Sequence, residues 1–584
     1  MKKIFLLVAI CLLFHPAFAQ QTEDEKLQAF FKNYLEQHFI QRPTDATALG
    51  DHRFDAQLDD ISPEARAGWR TLQKQTLANL PREVDYKNLS RDGQIDYEIL
   101  RDQLTFDIWV ADNMRPFEKD PRTYGGYLSD SVYLLLTQST QPREINISNA
   151  IARITQMPRI VAEAERSLKH PSKPILETAI RQNAGAIKFY EAEIFHYAGE
   201  TAQQKQLEAA AANAVALLKD YQHFLEGPAR TRAEDNWRLG KKKFAEKFVM
   251  ETGAGVTAAQ NLADAKAEFD RVQVEMYIVS RQLWPQYFPN QILPPDDLTG
   301  RRETITKVIN AVDQEHGEVS NLVADARATV DSIKSFIRSH DYLRLPEPDR
   351  CQVVEMPEFR RGNSLAYLDN APPLDPKAPS VYAVSPPPAD WSPEEIRSFL
   401  EEYNSHMLKI LTIHEAYPGH YVQLEYANQN PSLIRRVFQS GPYVEGWAVY
   451  GEVTMLNEGF GNGDLRLRLM QLKFYLRAVA NSILDYQMHC TKMTDDEAMK
   501  FLTQDAFQSE GEAKLKIIRA KQSAVQLSTY FVGRMAHYKL HQAIQREMGD
   551  KFNLSQYHMA VLATGSIPPK YLPEVVRRNL ALLP

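Results

Sequence analysis

The sequence has 584 residues, of which 44% are hydrophobic, 24% charged and 10% aromatic. This composition is that of a folded globular protein and excludes collagen, coiled-coil and disulfide-scaffold classes. The chain carries 68 Lys+Arg against 75 Asp+Glu, a formal net charge of −7, and an acidic excess argues against a nucleic-acid binder. The length allows two to four domain-sized units or one large helical body.

The first nineteen residues predict a cleavable secretory signal peptide. Met1-Lys2-Lys3 is a short basic segment, residues 4–14 are apolar, and Ala17-Phe18-Ala19 is a small-x-small cleavage site. Because about 20 apolar residues are needed to span a bilayer, we expect cleavage after Ala19, a periplasmic or secreted location and no stable membrane insertion. An uncleaved anchor and lipidation at Cys11 are the less favoured alternatives. Without the leader, 66 basic and 75 acidic residues leave a net charge of −9.

Two cysteines remain after the leader, Cys351 and Cys490. They could pair in an oxidising compartment, but sequence spacing does not show whether their Cα atoms come within about 7 Å. Two separate thiols are the favoured interpretation, and no CxxC pair indicates a zinc ribbon or redox motif.

Helical periodicity predominates along the chain. Strong helix formers recur over residues 203–225 and 258–283. Prolines interrupt the pattern after about residue 284, and helix resumes over about 303–340. We therefore predict a mainly α protein, a large multi-helical body with an N-terminal helical half over residues 20–290 and a C-terminal half over residues 291–584.

A proline-rich stretch from Asn370 to Pro393 excludes helix and favours extended chain. It predicts a small β-edge at residues 381–384, which is either a connector or the wall of a cleft. Ser392 then offers an N-cap, followed by proline at the first helical position and a glutamate that can complete a capping box. The sequence predicts a helix from Pro393 towards Tyr417.

The end of that helix carries the first candidate site. His414-Glu415 begins like the His-Glu-x-x-His zinc motif, in which two histidines share a helix face and the glutamate is a general base. Here the second histidine is His420, six positions on, and an ideal helix places such residues about 240° apart. Pro418-Gly419 could return His420 to the face of His414, because proline breaks the helix and glycine permits unusual dihedral angles.

A second acidic motif follows 25 residues after His420. It runs from Tyr443 to Glu452 and contains Glu445. A helix with a glutamate at this distance supplies the third ligand in many zinc peptidases. Glu445 is the preferred ligand, with Glu452 orienting a ligating histidine, but the spacing alone leaves either glutamate open as the ligand.

The two motifs together resemble the bacterial family of unknown function called DUF885. The similarity extends over about residues 24–580. It also includes Arg42-Pro43-Thr44, Gly50, Arg53, Tyr403-Asn404, Gln423, Asp485, His489, Arg519, Gln526, Tyr530 and Gly533. The chain departs from the family pattern at Tyr421, where a histidine is common, at Ala524-Val525 and at Thr529.

The resemblance implies a mostly helical fold with a deep channel, similar in its catalytic core to gluzincin metallopeptidases, and one zinc ion per chain. Zinc would be bound by His414, His420 and Glu445, while Glu415 would act as the general base. Tyr530 is the expected oxyanion donor or, alternatively, a packed core residue.

Four further residues are candidates for supporting roles. Arg519 would either bind a substrate carboxylate or form a structural ion pair. Asp485 and His489 lie four apart on one helix face and would either support a ligand or form a buried pair. Tyr421, directly after His420, is a candidate for substrate contact.

The sequence thus predicts an exported zinc-dependent metallopeptidase acting on short peptides. One alternative is a zinc amidohydrolase acting on a non-peptide amide or a cell-wall fragment, because the same metal and base would serve. Another is a non-catalytic helical binding or scaffold protein. The sequence predicts neither an oligomeric state nor a choice between exopeptidase and endopeptidase.

Overall fold

The computed structural model describes residues 21–356, 366–387 and 391–581. This part of the chain is mainly α-helical and has one small sheet, which confirms the predicted fold class. The predicted leader, residues 1–19, lies outside the described residues. None of the described helices combines the length and the apolar character needed to cross a membrane.

Helices make up most of the described chain, both before and after the three strands in the sequence. Those before it are α1 (Glu23–Gln41), α2 (Pro43–Leu49), α3 (Pro63–Glu83), α4 (Arg91–Asn113), α5 (Pro116–Lys119), α6 (Arg122–Gly125), α7 (Ser131–Thr137), α8 (Arg143–Ser167), α9 (Lys173–Lys188), α10 (Ile194–Ala198), α11 (Gln204–Phe224), α12 (Lys241–Thr252), α13 (Ala258–Tyr287), α14 (Leu298–Asp313) and α15 (Leu322–Ser339). Those after it are α16 (Pro393–Glu402), α17 (Ser405–Glu415), α18 (His420–Asn428), α19 (Leu433–Val437), α20 (Gly441–Asn457), α21 (Leu465–Cys490), α22 (Asp495–Lys500), α23 (Glu510–Gln522), α24 (Thr529–Met548), α25 (Leu554–Leu562) and α26 (Leu572–Ala581).

The predicted helices are present, with two interruptions that the periodicity missed. The stretches predicted over residues 203–225 and 258–283 are α11 and α13, but the stretch over 303–340 divides into α14 and α15. The helix predicted from Pro393 towards Tyr417 begins with the expected Ser392 capping box and then divides at Asn404. The Asn404 side chain accepts the backbone N–H groups of His406 and Met407, both at 3.0 Å, so it caps a new helix.

The sheet has three strands, β1 (Cys351–Glu355), β2 (Ala366–Asp369) and β3 (Ser380–Val384), in the order β1-β3-β2. The strand predicted at residues 381–384 is thus present and lies in the centre. It pairs parallel with β1 and antiparallel with β2, which leaves β2 at the edge. The Tyr382 hydroxyl hydrogen-bonds with Thr412 Oγ1 at 3.0 Å, and this bond fixes the sheet against α17.

Helix α21 is the central element of the C-terminal half. Residues along most of its length are buried, and it packs against α13, α17 and α24. Its apolar side chains join those of α13 and α14 in one core cluster. Because burial of apolar surface is the main favourable term in folding, α21 acts as the rigid support on which the site-bearing helices α17, α20 and α24 are arranged.

Helices α20 and α24 cross at two glycines. A Cβ atom added to Gly446 would overlap the backbone of Gly533, and one added to Gly533 would overlap the carbonyl oxygen of Pro442. Any side chain here would push the helices apart, so glycine is required by the close approach. Gly446 follows Glu445 directly, and Gly533 lies one turn after Tyr530; the crossing therefore sets the distance between two candidate site residues.

We expect Gly533→Ala to lower the free energy of unfolding by about 1–3 kcal/mol, because the added methyl group overpacks a backbone contact. Denaturant unfolding followed by circular dichroism measures the loss. The matched control is Gly511→Ala on α23, where an added Cβ meets no atom within 4 Å and stability should change by less than about 0.5 kcal/mol. Equal stabilities of the two variants would contradict the close crossing.

Candidate metal centre

A break between α17 and α18 brings the two histidines together. Helix α17 ends at Glu415 and α18 begins at His420, and the Gly419 N–H donates to the Ile413 carbonyl at 3.0 Å. A Cβ on Gly419 would overlap the carbonyl oxygens of His414 and Ile413, so only glycine fits this turn. The two imidazole rings lie 4.7 Å apart between centroids, at an interplanar angle of 85°.

A buried tryptophan fastens this turn to the helix that carries the acidic motif. The indole N–H of Trp447, on α20, donates to the Pro418 carbonyl at 2.8 Å, and the side chain is fully buried. Glu445 lies two residues before Trp447 on the same helix. Trp447 lies within the motif at residues 443–452, two residues after the candidate ligand Glu445, and this position is the one sequence signal of its role.

Glu445 completes a group of three potential ligands. Its Oε2 atom lies 3.4 Å from His420 Nε2 and 3.6 Å from His414 Nε2, and the potential ligand atoms of the three residues lie within 4.8 Å of one another. Two atoms that each bind one zinc ion at about 2.0–2.2 Å in tetrahedral geometry are about 3.3–3.6 Å apart. Glu445 Oε2 is buried and has no hydrogen-bond partner among the described residues. The three side chains therefore fit one tetrahedral cation.

Glu452 contacts the opposite side of the His414 ring. Its Oε1 accepts a hydrogen bond from His414 Nδ1 at 2.7 Å, and the residue is fully buried. With Nδ1 donating to Glu452, Nε2 is the ring nitrogen that remains for a metal ion, and it faces Glu445. This geometry favours Glu445 over Glu452 as the third ligand and gives Glu452 the orienting position.

The electrostatics of the cluster suit a cation. Burial would lower the pKa of the His414 imidazole, but attraction to Glu445 and Glu452 raises it to about 10. Burial also opposes ionisation of Glu445, yet the two histidines hold the pKa of its carboxyl well below the usual value. Glu415 and Glu452 lie beside them, and burial raises the pKa of both carboxyls. A dication in this enclosed space would favour the ionised form of all three acids.

The cluster opens onto a cavity of about 330 Å³. Glu415 lines it, and burial raises the pKa of its carboxyl. Leu368 and its neighbour Tyr367 line the same cavity. The edge strand β2, which the sequence pattern did not predict, therefore forms part of the cavity wall beside Glu415.

Tyr530 and Arg519 lie together on another wall of the cavity. Arg519 Nη2 donates to the Tyr530 hydroxyl at 3.0 Å and to Gln526 Oε1 at 2.9 Å. Burial, then the charge of Glu445, raises the pKa of Tyr530 to about 12. The phenol therefore keeps its proton at neutral pH and can donate a hydrogen bond into the cavity.

Three candidate residues lie elsewhere. Asp485 accepts hydrogen bonds from the Val525 and Ser528 backbones, both at 3.1 Å, and His489 faces the Ala520 carbonyl at 2.7 Å. The two therefore do not pair, and they hold the segment before α24 in place. The Tyr421 hydroxyl accepts the backbone N–H of Arg350 at 2.7 Å.

The cysteines do not form a disulfide. Cys351, in β1, and Cys490, at the end of α21, are both free. The favoured interpretation of two separate thiols therefore holds.

Comparisons with known proteins identify relatives along the whole chain. The profile of a family described as "Bacterial protein of unknown function (DUF885)" matches residues 43–576. The structure of "a putative lipoprotein of unknown function from Shewanella oneidensis" is 29% identical, with a TM-score of 0.77 over 94% of this chain and 99% of that chain. A putative lipoprotein from Colwellia psychrerythraea is 17% identical, with a TM-score of 0.76 over 96% and 99%, a likeness of fold. No curated protein matches the chain.

We expect Glu452→Gln to weaken zinc binding about 10–100-fold, because the orienting partner of a ligating histidine loses its charge. Competition with a chromogenic chelator measures the affinity. Glu458→Gln, an exposed change at the end of the same helix, is the matched control and should bind as the unchanged protein does. Equal affinities in all three proteins would contradict the position given to Glu452.

Proposed function

We propose that this chain, which belongs to the DUF885 family of bacterial proteins of unknown function, is a zinc-dependent metallopeptidase that hydrolyses short peptides. The observation that carries the proposal is the convergence of His414, His420 and Glu445 beside Glu415 in one cavity. Two imidazoles and one carboxylate, with a position left open to the cavity, make up the ligand set of many catalytic zinc sites.

The residues around the cluster supply the proton transfers of peptide hydrolysis. A bound zinc ion would act as a Lewis acid and lower the pKa of a water molecule. Glu415 would accept a proton from the attacking water as its oxygen bonds to the carbonyl carbon. The same carboxyl would then donate that proton to the leaving nitrogen as the C–N bond breaks. The Tyr530 hydroxyl would donate a hydrogen bond to the oxyanion.

The size of the cavity favours small substrates. A volume of about 330 Å³ lies at the lower end of the range for ligand pockets. Ala366, Tyr367 and Leu368 of the edge strand β2 line the cavity, so a bound substrate would lie along an extended segment of chain. This wall favours a peptide over a non-peptide amide, because a peptide can itself adopt the extended conformation of a strand.

We expect Glu415→Gln to lower kcat by about 10²–10⁴-fold and to leave zinc stoichiometry unchanged, since the amide cannot accept the proton and is not a proposed ligand. Hydrolysis of a short-peptide mixture, followed by mass spectrometry, measures the activity, and elemental analysis measures bound zinc. Removal of zinc with a chelator should abolish the activity of the unchanged protein, and added zinc should restore it.

The same assay separates the alternatives. Glu458→Gln is the matched control for an acid-to-amide change outside the site. Cleavage of cell-wall fragments but not of peptides would favour an amidohydrolase. A protein that binds no stoichiometric zinc and cleaves nothing would overturn the proposal in favour of a non-catalytic binding protein. Full activity of Glu415→Gln would refute the general-base assignment.

We propose further that the protein is exported. The support is the leader pattern over residues 1–19 and the description of two solved relatives as lipoproteins. We expect mass spectrometry of the protein from the periplasmic or secreted fraction to give Gln20 as the first residue. A chain lacking residues 1–19 is the control and should stay in the cytoplasm. An intact Met1, or a lipid on Cys11, would contradict cleavage after Ala19.

A further inference from the structure

Basic side chains form part of the cavity lining. Arg477 on α21 and Lys516 on α23 both line the cavity and share one carboxylate, Glu512. Arg477 Nη2 lies 2.8 Å from Glu512 Oε1, and Lys516 Nζ lies 3.5 Å from the same oxygen. One carboxylate therefore faces two cations that have lost most of their contact with water.

Arg519 adds a third cation to this wall, one turn after Lys516 on α23. Its side-chain hydrogen bonds go to neutral groups, the Tyr530 hydroxyl and the Gln526 amide, and among the described residues no carboxylate forms an ion pair with it. The side chain is exposed to the cavity. Its fork of N–H donors can thus bind a planar anion in bidentate fashion.

We infer that Arg477, Lys516 and Arg519 form a carboxylate subsite that binds the C-terminal α-carboxylate of the peptide, so that the enzyme removes residues from the carboxyl end. This inference rests on the proposed function and specifies its substrate class. Burial and the neighbouring Arg477 lower the pKa of the Lys516 ammonium to about 7, which agrees with a shortage of negative charge beside it. A substrate carboxylate would supply that charge.

The position of Arg519 relative to Tyr530 favours the terminal carboxylate. The guanidinium contacts the hydroxyl that would hold the scissile carbonyl oxygen, at 3.0 Å. An extended residue spans about 3.3–3.6 Å, so a carboxylate bound by Arg519 belongs one or two residues beyond the scissile bond. The cavity of about 330 Å³ leaves room for a short leaving segment on that side.

The test compares peptides that differ only in the final group. The first is an N-acetylated tripeptide with a free α-carboxylate, and the second is its C-terminal amide. The third is an amidated peptide whose last residue is glutamate, which offers a side-chain carboxylate only. We expect the zinc-loaded protein to cleave the first with kcat/KM about 10–100-fold above the second, the range for a hydrogen-bonded charged group.

Variants of the protein test whether Arg519 causes the preference for a free α-carboxylate. Arg519→Gln should reduce the ratio between acid and amide to about threefold or less, mainly through KM of the acid. Lys514→Gln, an exposed change on the same helix, should keep the full ratio. Tyr530→Phe should lower kcat for both peptides and also keep the ratio, because the hydroxyl acts on the carbonyl and not on the terminus.

The outcomes separate this inference from the proposed function. Cleavage of acid and amide at equal rates, or an unchanged ratio in Arg519→Gln, overturns the carboxylate subsite and leaves the peptidase intact. A preference for the peptide amide that ends in glutamate over the free acid would show that the basic residues bind an acidic side chain, which also overturns the inference. Calorimetric binding of the same peptides to zinc-loaded Glu415→Gln gives the acid-to-amide ratio without turnover, and equal affinities there also refute the inference.

Discussion

The candidate site depends on one break in a helix and on the hydrogen bond that holds it. His414 and His420 could not meet on a continuous helix, since six residues rotate the side chain by about 240°. The turn between Glu415 and His420 removes that rotation, and the bond from Trp447 to the Pro418 carbonyl fixes the turn to α20. The same helix carries Glu445 and Glu452, so one contact sets the ligands and the orienting partner together.

The close crossing of α20 and α24 at two glycines also sets the position of Tyr530 relative to Glu445. Because Gly446 and Gly533 bring the two backbones into contact, Tyr530 and Glu445 are held on rigid helices and not on loops. Asp485 supports α24 by accepting hydrogen bonds from Val525 and Ser528, just before that helix begins. The candidate ligands and the hydroxyl donor are thus positioned by packing that is largely separate from any bound ion.

The sequence was informative where local chemistry decides the outcome. The Ser392 capping box, the periodicity of α11 and α13, and the extended strand at residues 381–384 follow from capping, helix propensity and proline content, and the structure has all three. The division at Asn404 was missed because an asparagine that caps a helix is indistinguishable by periodicity from one inside it. The edge strand β2 has too few residues to show an alternating pattern.

Some residues of the site could likewise be predicted from local sequence motifs, and others could not. Two short segments with recognisable spacing contain His414, Glu415, His420 and Glu445. Glu452 lies seven residues after Glu445, on the same face of α20, and this position suggested its orienting role. Arg477 and Lys516 carry no such signal, since a single basic residue in a long amphipathic helix is most often on the surface. Only the packing of α21 against α23 reveals that both line the cavity.

Different helices supply the acidic and the basic residues that line the cavity. Glu415 and Glu445 come from α17 and α20, the cations come from α21 and α23, and Tyr530 comes from α24. Under the proposed function, a peptide would bind with its scissile carbonyl towards the histidine cluster and a negatively charged end towards the guanidinium groups. The preference for this direction would come from the guanidinium groups, because a terminal carboxylate can accept their hydrogen bonds and a terminal ammonium cannot. Under the proposed function, the direction of binding is then independent of which side chains the peptide carries.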